Sequence, residues 1–67
     1  MNNSLFLNAN LYTIEHINRA IFDFSALCKI TVERNGDYFC CWFNTILNAE
    51  IIMKEFENYL IDLTNIV

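Results

Sequence analysis

Sixty-seven residues make a single domain, residues 1–67. A chain this short hides only about 60% of the surface that its unfolded form exposes, so a lone copy is marginally stable. With a net charge of −4 and only Arg19, Lys29, Arg34 and Lys54 as cations, it offers no basic stripe for phosphates, which argues against a nucleic-acid partner.

The first element is predicted over residues 4–12, "SLFLNANLY", where alternation puts Leu5, Leu7, Ala9 and Leu11 on one side and Phe6, Asn8, Asn10 and Tyr12 on the other. This is the pattern of a half-buried strand. Thr13 then caps a helix with Glu15 in its first turn. Its apolar stripe is Ile14, Ile17, Ala20, Ile21, Phe24 and Leu27, at three- and four-residue spacing. Phe22 lies away from that stripe and is expected to face outward.

From Lys29 the chain turns β-branched, and Asn35-Gly36 within "RNGD" is expected to form the two-residue loop of a hairpin. That loop pairs Arg34 with Asp37. Counting back, one face then pairs Val32 with Phe39, Ile30 with Cys41 and Cys28 with Phe43. The other face pairs Glu33 with Tyr38, Thr31 with Cys40 and Lys29 with Trp42. Cys40 and Cys41 are therefore neighbours in sequence that point to opposite sides of one strand. A second helix is expected from an Asn48 N-cap, with Ile52, Phe56, Tyr59, Leu60, Leu63 and Val67 as its buried stripe. Ile61 sits among that helix's charges as an apolar residue the core does not require.

A β-α-β-β-α order with two amphipathic helices predicts an α+β domain. We expect a three-stranded antiparallel-type sheet of order 1-3-2 with both helices on one face, a ferredoxin-like arrangement lacking its last strand. The first strand is then an open edge with no charge, Pro or bulge to blunt it. The bare face beside it shows Phe6, Tyr38 and Trp42 among Asn8, Asn10, Lys29, Thr31 and Cys40, a candidate partner-binding surface to which Phe22 and Ile61 add outlying apolar contacts. The 55% hydrophobic content, with ten aromatic residues, exceeds the need of one small core and points the same way.

Catalytic and metal chemistry find little support. His16, Cys28, Cys40 and Cys41 could in principle supply four metal ligands, but the cysteines divide between two faces and no C-x-x-C pair exists. His16 reads as a solvated first-turn histidine with no acid to orient it. One glycine cannot build a phosphate loop. The expectation is a non-enzyme without cofactor or metal. No apolar run approaches a membrane span of about 18 residues. The start "MNNSLFLNAN" is not a secretory signal, and the odd, unpatterned cysteines suit a reducing compartment, so a cytoplasmic address is expected.

The segments "LYTIEHINRAIFDFS", "ITVERNGDY" and "EFENYLID" together resemble HxsD, the small D component of bacterial His-Xaa-Ser peptide-modification systems. Tyr12, Thr13 and Glu15 match that family's helix start, Ala20, Phe24 and Ser25 its helix core, and Glu55, Phe56, Asn58, Leu60 and Asp62 its late helix. After Asp62 the sequence "LTNIV" departs from the polar continuation of the family. The resemblance implies an accessory protein working with radical-SAM enzymes and a repeat-bearing precursor peptide. This chain lacks the C-x-x-x-C-x-x-C cluster motif of such enzymes. Its expected partner is that enzyme or peptide, bound through the strand edge and the aromatic face. The rival expectation is a homodimeric interaction module that closes its own exposed surface; a small regulatory module is a third.

Overall fold

The computed structural model describes residues 3–45 and 48–65. In chain order the elements are β1 (Ser4–Asn8), α1 (Ile14–Asp23), β2 (Lys29–Asn35), β3 (Tyr38–Asn44) and α2 (Ala49–Thr64). The strands form one antiparallel sheet of order β1-β3-β2, as the α+β reading requires.

Alternation along the strands sorts the side chains as expected. Leu7, Cys28, Ile30, Phe39, Cys41 and Phe43 turn inward and pack with Ile17 and Ala20 of α1 and Phe56 and Leu60 of α2 in one buried cluster. Both helices therefore cover the same side of the sheet, and none of the described residues forms a layer on the opposite side. Phe56 is the centre of this core. Its ring meets Phe24 at 5.3 Å and Phe43 at 5.1 Å, both edge-to-face, the arrangement that the charge distribution of aromatic rings favours. Phe24 also contacts Tyr59, so the end of α1 lies against the middle of α2. Leu11 and Tyr12, just before α1, share a cleft with Ile61, Thr64 and Asn65 at the end of α2; the two helices run antiparallel.

Five sequence expectations are corrected. The hairpin loop is Gly36-Asp37, not Asn35-Gly36: Asn35 pairs with Tyr38, Val32 with Cys41, Ile30 with Phe43 and Lys29 with Asn44, a slip of two residues. Gly36 has φ of +62° while Asn35 stays extended, so only the glycine adopts the left-handed conformation, as a turn with Gly at its first central position requires. An Asn35-Gly36 loop would have placed a residue with a side chain there at a cost of about 1 kcal/mol. The Asp37 carbonyl is also claimed by the Ala9 N–H at 2.8 Å, which ties the turn to β1. Because the slip is even, every side chain keeps its predicted face.

The second correction concerns β1, which stops at Asn8 rather than running to residue 12. The Asn8 carbonyl accepts from the N–H groups of Leu11 and Tyr12, and its side-chain Oδ1 accepts from the Asn10 N–H at 2.8 Å, a local turn that competes with strand pairing. Leu11, expected inward, is 65% exposed. Tyr12, expected outward, packs against the core. Third, α1 ends at Asp23, so Leu27 falls in the following turn and is exposed rather than completing the stripe.

Fourth, Asn48 stands at the N-cap of α2 with φ of 39°, and its side chain makes no capping bond. Thr13, in contrast, caps α1 as expected, accepting the His16 N–H at 3.2 Å. The fifth correction is His16 itself. It is half-buried rather than solvated, and its Nδ1 is enclosed without a protein partner, as is Thr64 Oγ1. Val67, expected on the α2 stripe, lies outside the described residues.

Candidate functional site

The uncovered side of the sheet is a grid set by strand register. One row runs Ser4–Trp42–Thr31, the next Phe6–Cys40–Glu33, and the third Asn8–Tyr38–Asn35, with Asn44 beside Lys29 at one end. Of the sequence-predicted partner residues, Phe6, Asn8, Lys29, Thr31, Tyr38, Cys40 and Trp42 are brought together here. Asn10 is not, because it sits in the turn after β1. Phe22 and Ile61 lie on the helices, outside this face; Phe22 is exposed there and Ile61 lines the cleft with Leu11.

Three rings dominate the face. Phe6 is 64% exposed, Tyr38 48% and Trp42 47%. Between them Cys40, expected among the partner-binding residues of this face, points to it but is only 4% exposed. A cysteine is short, and its neighbours are larger: Tyr38 and Trp42 at ±2 along β3, Phe6 opposite on β1 and Glu33 opposite on β2. What remains is a shallow cavity of about 250 Å³ lined by Phe6, Asn35, Tyr38 and Cys40. A second hollow, of about 410 Å³, lies beyond Trp42 and is lined by Thr31, Lys29, Asn44 and Asn3 among others. Asn35 and Asn44 were not anticipated at this surface, because the hairpin slip is what brings them alongside Tyr38 and Lys29.

The backbone edge of β1 is narrower than its sequence suggests. Donors and acceptors alternate sides along an antiparallel strand. Phe43 N–H donates to the Asn3 carbonyl and Ala9 N–H to Asp37, so odd-numbered residues of this stretch face β3 and the peptide groups of Phe6 point to the open side. The Asn8 carbonyl on that side is already occupied by the turn. The usable edge is thus centred on Phe6. Among the described residues no strand covers the far edge, β2, either, and it was not anticipated as a surface; Lys29, Glu33 and Arg34 supply the charge that discourages pairing there.

The three thiols are all free. Burial pushes each one up, Cys41 to about 12, and the nearby Glu33 carboxylate adds to the effect at Cys40. Such thiols stay protonated near neutrality and are poor nucleophiles. Among the described residues no group of three or more His, Cys, Asp or Glu side chains is placed to hold a metal ion. Nor is any helix among them long and apolar enough to cross a membrane.

The sequence model of one protein family, described as His-Xaa-Ser system protein HxsD, matches residues 7–64. That span includes β2, β3 and both helices and begins inside β1. Neither the curated proteins nor the solved structures contain a match.

Proposed function

The chain belongs to the HxsD family of His-Xaa-Ser systems, and from that premise we propose that it is a non-catalytic accessory protein that binds the system's modifying radical-SAM enzyme or its precursor peptide. The observation that supports this reading is the pairing of an open strand edge with a ring-lined surface. The Phe6 peptide group faces outward from β1, and the exposed rings of Phe6, Tyr38 and Trp42 stand beside it. An extended segment added to β1 would gain main-chain hydrogen bonds at Phe6 and lay alternate side chains against the border of the aromatic face. Protonated, buried thiols and the acidic helices suit a protein that holds a partner rather than one that transforms it.

The test is titration of the purified protein with the precursor peptide and with the radical-SAM enzymes of its own system, followed by calorimetry. A Phe6→Pro variant removes the outward N–H without breaking a ladder bond, since proline is tolerated on edge strands. Binding that falls about tenfold or more in this variant, with far-UV circular dichroism unchanged, is the expected result. The reading is overturned if neither partner binds, or if Phe6→Pro binds as tightly as the natural chain.

A further inference from the structure

The charges of this chain are divided unevenly between its two layers. The helices carry Glu15, Asp23, Glu50, Glu55, Glu57 and Asp62 against Arg19 and Lys54, six negative and two positive, which accounts for the whole net charge of −4. The hairpin carries Lys29, Arg34, Glu33 and Asp37 and sums to zero. Of these four, only Lys29 and Glu33 stand on the uncovered face, because Arg34 belongs to the other side, with its guanidinium 5.2 Å from the Phe39 ring, and Asp37 is in the turn. The bare side of the sheet is therefore aromatic and electrically balanced, while the acidic groups point away from it.

This arrangement fits one occupant better than others. We infer that the Trp42 end of the uncovered face is covered in solution by the same end of a second copy, related by a two-fold axis along the row Ser4–Trp42–Thr31. Lys29 and Glu33 stand two residues either side of Thr31 on β2, all three on the outer face. A half-turn about that row lays Lys29 of each copy over Glu33 of the other and brings the two Trp42 rings together at the axis. An axis along the next row, through Cys40, sets Glu33 on Glu33; one along Asn44–Lys29 sets Lys29 on Lys29. An axis parallel to the strands buries both charges against β1, which has none. Charge complementarity thus selects one symmetric packing, and the acidic helices end on opposite outer surfaces of the pair, where their mutual repulsion is weakest.

Burial of the two Trp42 rings against each other supplies the attraction, while Tyr38 stays outside the overlap, and a domain this small gains stability from a second chain. The footprint is small: the two sheets overlap over the rows Asn44–Lys29, Ser4–Trp42–Thr31 and Phe6–Cys40–Glu33, five residues long on β2 and β3 and three on β1, about 210 Å² per copy before side-chain relief is counted. That is well below the roughly 600 Å² per partner at the low end of stable specific interfaces, so the dimer is weak and concentration-dependent. The Phe6 peptide edge of β1 stays open in this packing, so the inference is independent of partner binding at that edge.

Sedimentation velocity from about 10 µM to about 1 mM tests it. The expected result is a reversible monomer–dimer equilibrium. Lys29→Glu and Glu33→Lys should each weaken it about tenfold or more, and the double variant K29E/E33K should return to within about threefold of the natural chain. Glu33→Lys is the sharper of the two. It changes the net charge from −4 to −2, so overall repulsion alone would strengthen the dimer, whereas the proposed packing weakens it. The inference fails if the protein is monomeric throughout that range. It fails equally if Glu33→Lys dimerises as well as or better than the natural chain, or if the double variant is no tighter than the singles. Circular dichroism confirms that each variant is folded, since neither side chain belongs to the core.

Discussion

The hydroxyl of Tyr59 on α2 donates to Oδ2 of Asp23 at the end of α1, the same oxygen that Arg19 Nε approaches at 3.4 Å. This clasp joins the helices on the acidic side of the molecule. The hydrogen bond to Asp23 is the main reason that the Tyr59 hydroxyl titrates above its ordinary value of about 10. A raised folded-state value stabilises the protein fully below pH about 10 and ceases to do so as pH rises through the folded value. Tyr59→Phe is therefore expected to show a shallower fall in thermal midpoint above pH 10 than the natural chain, measured by circular dichroism.

Cys41 produces a related effect over a wider range. Its thiol is pushed up to about 12 by burial, while in the unfolded chain it ionises near 9. Stability contributed by the protonated thiol is complete below pH about 9 and is lost between 9 and 12, at up to about 1.4 kcal/mol per pH unit. Cys41→Ala, although less stable at neutral pH, should show a flatter profile over that interval in urea titrations. An equally steep fall in the variant would assign the alkaline loss to other groups.

Gly36 and Asn35 separate the two ways of closing the hairpin. An added Cβ at Gly36 meets nothing within 4 Å, so Gly36→Ala suffers only the backbone cost of φ +62°, about 1–2 kcal/mol. Asn35→Ala, at an extended position, should change stability by less than about 0.5 kcal/mol. Equal losses in urea unfolding would restore the loop that the sequence first suggests.

Phe56 and Trp42 should behave as opposites. Phe56 is fully enclosed and touches two other rings, so Phe56→Ala is expected to cost about 3–5 kcal/mol, enough to unfold much of the population of so small a domain. Trp42→Ala removes a half-exposed ring from the uncovered face and should leave the monomer's far-UV circular dichroism intact. A loss of folded signal in monomeric Trp42→Ala would reverse the assignment of faces.

Faces and element order were legible because alternation is insensitive to a register shift of two residues. A two-residue slip moves Val32 from Phe39 to Cys41 yet leaves both members of each pair inward. Strand and helix ends were less legible. The pattern of Leu5, Leu7, Ala9 and Leu11 continues past Asn8, but the Asn8 side chain and carbonyl gather Asn10, Leu11 and Tyr12 into a turn, a local competition that periodicity does not register. Cys40 shows a third limit. Its direction followed from its position in the strand, while its burial depends on larger side chains beside it on all three strands, which only three-dimensional neighbours decide.

The position of β1 at the edge of the sheet also sets an order of assembly. β2 and β3 are joined by two residues and can pair as soon as both exist, whereas Leu7 must find Phe39 across the intervening helix and hairpin. Closing that long loop is the slow, entropically expensive event, so the N-terminal strand docks after the hairpin and helices have formed a template. Leu7→Ala should accordingly accelerate unfolding while leaving the refolding rate nearly unchanged in stopped-flow measurements. Residues 4–8 would then be the last part of the chain to become native and the first to leave it.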